Sequence, residues 1–102
     1  MLTLPIEKKW FDMIESGEKK EEYREIKPYW TSRFENLTYF DFRKIFRDFE
    51  VEFRNGYGNR VPKIRCRCRL RIGIGKTEWG AEPNKEYYIL EILEILEVQN
   101  VK

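Results

Sequence analysis

Apolar and polar positions alternate without a slip from Lys63 to Ile74. Ile64, Cys66, Cys68, Leu70, Ile72 and Ile74 fall on one side, and Lys63, Arg65, Arg67, Arg69 and Arg71 on the other. A period of two over this length predicts a half-buried antiparallel strand. Phe49, Val51 and Phe53 alternate with Glu50, Glu52 and Arg54 and predict another, and Asn55-Gly56-Tyr57-Gly58-Asn59 supplies turn residues between the two. Gly73 and Gly75 suggest a bend or bulge. Near the start the period changes. Ile6, Trp10, Met13 and Ile14, flanked by Phe11, make a helical stripe, so a helix is expected over Ile6 to Ser16, with Pro5 near its start and Gly17 past its end. The plain reading of this stripe is core packing. Glu18 to Ile26 looks like a turn entering a short strand, stopped by Lys27-Pro28, and Pro28 to Phe34 opens a short second helix. Asn36 to Phe46 is rich in aromatics but shows no clear period. After a loop at Gly80, Pro83 and Asn84, the segment Glu86 to Val98 carries glutamates at 91, 94 and 97, a spacing that fits neither regular period. Its start, Tyr87-Tyr88-Ile89, favours a bulged strand, with a helix as the alternative for the final third.

These elements in 102 residues fit one domain, 1–102, of α+β class, with a small twisted or closed sheet and one or two helices. A hydrophobic content of 41% supplies a core, and 37% charged residues make an ion-dense surface. The chain has no His, which excludes Ser-His-Asp and Cys-His catalysis and His-ligated zinc. Cys66 and Cys68 share one strand face, too near in sequence for a relaxed disulfide, and read as buried thiols of a reducing compartment. No metal site or cofactor is expected. The chain does not open on a signal-like segment, and its longest apolar-rich stretch, Tyr87 to Leu96, is broken by glutamates. A soluble, cytoplasmic protein with no membrane partner is the expectation.

Charge then raises a candidate chemistry. Phe53 to Thr77 holds Arg54, Arg60, Lys63, Arg65, Arg67, Arg69, Arg71 and Lys76 and no acid. Such a stripe can neutralise phosphates, and Arg54, Lys63, Arg65, Arg67, Arg69 and Arg71 form a candidate nucleic-acid face. The alternative is structural: if the two alternating strands pair, Glu50 and Glu52 fall opposite two of the arginines. Tyr29, Trp30, Tyr57 and Trp79, in or near loops, are candidates to stack on a base or to cap the core.

At the exit of the first helix, Gly17, Lys19, Glu22 and Arg24 form G-x-K-x-x-E-x-R. Glu22 and Arg24 would share one strand face, with Tyr23 on the other. A carboxylate and a guanidinium side by side can read the edge of a base or bind a phosphate, and Lys19 adds a cation or, if desolvated, a base. The alternative is an ion pair that fixes the strand. The junction from Trp10 through Gly17 into this motif resembles the ASCH domain of the PUA-like superfamily. The likeness extends more loosely to Phe53–Tyr57, Glu78-Trp79-Gly80 and the apolar C-terminal strand. The resemblance implies a small PUA-like β-barrel with flanking helices and a cleft, lined by the motif, that serves RNA or nucleoside recognition. Some ASCH members resemble amidohydrolases acting on N4-acetylcytidine, and others are proposed as ribonucleases. In the amidohydrolase type a Lys, a Thr and a Glu are catalytic. Lys19 matches the Lys, Glu22 stands where that type has its Thr, and Glu78 is a candidate for the Glu.

The leading expectation is therefore a module that binds RNA, a nucleotide or a modified nucleoside through Lys19, Glu22, Arg24, Tyr57 and Trp79, extended by the arginine face. A small hydrolase using Lys19 and Glu22, and a protein-interaction domain, are the alternatives.

Overall fold

The computed structural model describes residues 1–38 and 48–100. The fold is α+β: strand β1 (Leu2–Ile6), helix α1 (Lys8–Glu15), β2 (Glu21–Arg24), α2 (Pro28–Thr38), β3 (Phe49–Asn55), β4 (Lys63–Ile74), a 3-10 turn (Thr77–Trp79) and β5 (Glu86–Gln99). The strands form one mixed sheet in the order β1-β3-β4-β5-β2, with β1 parallel to β3 and the other neighbours antiparallel. Among the described residues no ladder joins β1 to β2, so the sheet is open where a closed barrel was expected. No helix among them is long and apolar enough to cross a membrane.

The β4 alternation is realised. Ile64, Cys66 and Cys68 are fully buried, and they pack with Leu2, Leu4, Ile6, Val51, Phe53, Leu90, Phe11, Ile14 and Phe34 into one core between the sheet and the helices. Both cysteines are free thiols. The uneven glutamates of β5 are explained by two register shifts. Arg65, Arg67 and Arg69 pair with Glu97, Glu94 and Glu91, while the partners of Cys66 and Cys68 are Ile95 and Ile92, so Leu96 and Leu93 are the extra residues. Each bulge inserts one residue, and so converts a period of two on β4 into a period of three on β5. The final third of β5 is strand, not helix. The bend expected at Gly73 does not interrupt β4, which pairs through Ile74; the irregularities lie opposite Arg65–Cys68 instead.

The start of the chain corrects the expectation. Ile6 ends a strand rather than opening the helix, and Leu2, Leu4 and Ile6 alternate inward from β1. Pro5 is tolerated because β1 is an edge strand, where a missing N–H leaves no ladder bond unmade. In α1 the buried side chains are Phe11 and Ile14, while Trp10 and Met13 are only half-buried. The stripe is thus rotated from the expected one, leaving Trp10 at its border. Gly17, at φ +85°, turns the chain out of α1, and the Lys19 amide then donates to the Met13 carbonyl at 2.9 Å. α2 begins on Pro28, where the missing N–H is harmless, and runs past the expected Phe34 to Thr38. Most of the unassigned Asn36–Phe46 segment lies outside the described residues.

Candidate functional site

β2 is short, and its register fixes what each side chain faces. Glu22 and Arg24 sit opposite Leu90 and Tyr88 and point to the core face, while Tyr23 pairs with Ile89 on the other face with Ala81 and Tyr87. The expected division of Glu22 and Arg24 from Tyr23 holds. It places an acid and a guanidinium at the end of an otherwise apolar layer, where desolvation is costly unless each is paired.

The pairing is partial. Arg24 Nη1 donates to Glu22 Oε1 at 3.0 Å and to the Tyr23 carbonyl at 2.7 Å. Its guanidinium lies 5.2 Å from the ring centre of Trp30, which in turn stacks on Phe34. Glu22 is 7% exposed, and its Oε2 accepts no hydrogen bond; Lys19 Nζ lies 3.8 Å from it, at ion-pair distance. Lys19 is 1% exposed and donates to the Trp79 carbonyl at 2.6 Å, with the rings of Trp10 and Tyr23 4.8 and 5.1 Å away. Burial pushes the Lys19 ammonium below its usual value, against the raising pull of the Glu22 carboxylate.

Two clefts open on this cluster, of about 400 and 440 Å³, and both are lined by Trp10, Glu22 and Arg24. The first runs between Pro5–Lys8 and the Asn55–Tyr57 turn. The Gly56 amide holds that turn against the end of β1 by donating to the Ile6 carbonyl at 3.1 Å. The second runs toward Trp30, Trp79 and Tyr87. The ends of the sheet therefore face each other, since β1 and β2, its two edges, line the same first cleft.

The sequence-level candidates divide accordingly. Glu22, Arg24, Tyr57 and Trp79 line the clefts. Lys19 belongs to the cluster but sits behind Trp10, closed to solvent. Glu78 is exposed on the 3-10 turn and lines neither cleft. Tyr57 is 89% exposed. Trp30, a candidate to stack on a base or to cap the core, lines the second cleft, whereas Trp10 is a cleft residue that the pattern did not single out. Trp10 counted as core because its spacing matched the helical stripe, and its neighbour Lys9, 4.7 Å from the ring, was the one polar hint that this face meets water.

The basic strand face is matched with acids. Glu50 and Glu52 lie opposite Arg67 and Arg65 from β3, as the structural alternative required. Arg65 bonds Glu50 at 2.6 Å, Arg67 bonds Asp48 and lies 3.5 Å from Glu94, and Arg69 reaches Asp48 at 3.2 Å. Arg71 bonds Glu21 at 2.7 Å, and Arg54 bonds Glu52 at 2.8 Å. Lys63 donates to the Asn59 carbonyl. No group of three or more Cys, Asp or Glu among the described residues is placed to hold a metal ion. Comparison of the chain with protein-family models, curated proteins and solved structures finds no match.

Proposed function

We propose that this protein is an ASCH-type, PUA-like module that binds RNA, a nucleotide or a modified nucleoside in the clefts around Glu22 and Arg24. The observation that carries the reading is the buried Oε2 of Glu22 beside Arg24, which accepts no hydrogen bond and has the Lys19 ammonium only at ion-pair distance, 3.8 Å. A buried acceptor without a donor is expensive, and a ligand that donates to it removes the penalty. Among the described residues Arg24 meets its hydrogen-bond partners through Nη1, and its planar fork offers Nε and Nη2 as further donors to an acceptor on the same ligand. A heterocycle with a donor next to acceptors matches that pair. Tyr57, at the mouth of the first cleft, supplies an aromatic surface for a base. In this reading β1 and β2 are the ends of a barrel that the ligand cleft keeps apart.

The arginines of β4 are secondary, because their carboxylate partners already balance much of their charge. Lys19 acts by setting the potential beneath Glu22 rather than by touching the ligand. The expected location is the cytoplasm, where Cys66 and Cys68 stay thiols.

The test is a titration against single-stranded RNA, duplex RNA, DNA and modified nucleosides at two salt concentrations, with each mixture then examined by mass spectrometry. The expected result is binding of an intact ligand, weaker at high salt for the polymers. A changed product mass would make the protein a hydrolase. Binding of none of these ligands would overturn the reading.

A further inference from the structure

The two clefts meet at Trp10, Glu22 and Arg24, and each then runs to its own aromatic wall, Tyr57 in the first and Trp30 and Trp79 in the second. At about 400 and 440 Å³, each alone falls within the roughly 300–1,000 Å³ of a small-molecule site, so one heterocycle does not need both. Glu22 and Arg24 can read the edge of one base at a time. That base belongs in the second cleft. Glu22 Oε2 is 3.8 Å from Lys19 Nζ, which donates to the carbonyl of Trp79, and Trp79 lines the second cleft and not the first. The far wall of the first cleft is the tip of the turn, where Tyr57 stands 89% exposed between Gly56 and Gly58, both at positive φ. The lysines that line the clefts are matched: Lys8 lies 2.5 Å from Asp12, Lys27 3.7 Å from Glu25, and Lys85 3.6 and 3.4 Å from Glu25 and Glu82. Two exposed lysines beside them are not. Lys9 Nζ lies 4.7 Å from the ring centre of Trp10, where the clefts meet, and Lys76 Nζ 4.5 Å from that of Trp79. Neither has a carboxylate partner among the described residues.

We infer that the ligand is a nucleic-acid single strand that fills both clefts with two consecutive nucleotides. One base is read by Glu22 and Arg24 in the second cleft, its neighbour stacks on Tyr57 in the first, and the linking phosphodiester passes Trp10 beside Lys9. The inference rests on the proposed binding site and narrows its ligand. A strand that fills both clefts carries its linkage across the residues they share, and Lys9 is the unmatched cation at that point. Lys76, at the Trp79 wall, is placed for the phosphate on the other side of the read base. Stacking accepts any base, because every base has a π-face, whereas contacts to a base edge discriminate. Selectivity is therefore confined to one of the two positions.

Calorimetric titration with the ribonucleosides and with the full set of their 3′,5′-linked dinucleotides tests this, with the deoxyribose set alongside. In at least one sugar series the best dinucleotide is expected to bind at least about fivefold more tightly than the best nucleoside, the low end of what stacking one base contributes. Changing one of its bases should lower the affinity, and changing the other should not. Tyr57→Ala is expected to cost the dinucleotide at least about fivefold more than it costs the nucleoside. Lys9→Ala should weaken the dinucleotide more than the nucleoside and flatten its salt dependence. Both side chains are exposed, so neither change disturbs the core. Nucleosides that bind as tightly as every dinucleotide overturn the inference and leave the proposed site standing. Equal base dependence at both positions, or equal losses for nucleoside and dinucleotide in Tyr57→Ala, also overturn it. Silence of both sets overturns the inference, and silence of the modified nucleosides as well overturns the reading beneath it.

Discussion

The ammonium of Lys19 donates to the main-chain carbonyl of Trp79 at 2.6 Å, tying the exit of α1 to the turn that ends at Gly80. The bond joins segments 60 residues apart and closes the floor beneath Trp10 and Tyr23. Lys19→Met keeps much of the apolar stem and removes the donor, leaving the Trp79 carbonyl unpaired. The expected cost is about 1–3 kcal/mol of stability in a urea titration. An unchanged midpoint would show that this contact does not hold the turn.

Gly75 occupies a space that no side chain fits. A Cβ there would lie 2.6 Å from that of Ala81 and 2.9 Å from the Tyr23 ring, both parts of the small cluster behind β2. Gly75→Ala is expected to destabilise by about 1–3 kcal/mol through overpacking. Because Tyr23 is flanked by Glu22 and Arg24, the same variant should weaken ligand binding, and a crystal structure or amide shifts in β2 would show the displaced strand.

The two buried thiols predict an alkaline limit to stability. Burial pushes the Cys66 thiol from 9.0 up to about 12 and raises that of Cys68 as well. A raised pKa means that the unfolded chain loses its protons first. This contribution is therefore complete below about pH 9 and falls away as pH rises toward 12. Tyr23, raised by burial from 10.0, adds a loss of the same sign, and Lys19, lowered by burial from 10.5, contributes the opposite sign. Cys66→Ala should flatten the fall of stability with pH, measured by chemical denaturation between neutral and alkaline buffers. An equal slope in the variant would contradict this assignment.

Much of the sheet was legible because its side-chain pattern is local. β4 alternates without interruption, and β3 presents glutamates at the spacing of the arginines it faces. β5 was legible only as a misfit, since a period of three has meaning once two bulges are known to lie opposite Cys66 and Cys68. β1 was lost to the helix that follows it: Ile6 satisfies both the alternation of Leu2 and Leu4 and the stripe of Trp10 and Ile14, and the longer stripe prevailed. At the site, the shared face of Glu22 and Arg24 follows from their spacing alone. The closure of Lys19 and the opening of Trp10 do not, because both depend on where the Thr77–Trp79 turn returns to α1. That contact is far apart in sequence and leaves no periodic trace.

The strand arginines give a contrast to the cleft. Double replacement Arg65→Ala and Arg67→Ala removes two cations that already contact Glu50, Asp48 and Glu94. It should change the salt dependence of polymer binding only slightly, because exposed paired charges contribute little.

The measurement that bears most directly on the central claim compares ligand affinity of the wild type, Arg24→Lys and the Arg65/Arg67 double variant under one buffer. Arg24→Lys keeps the charge and removes the planar fork. The account predicts a loss of at least about tenfold, some 1.4 kcal/mol, for Arg24→Lys and a smaller loss for the double variant. Full affinity in Arg24→Lys, with binding abolished in the double variant, would place the ligand on the β4 face and contradict a site at Glu22 and Arg24.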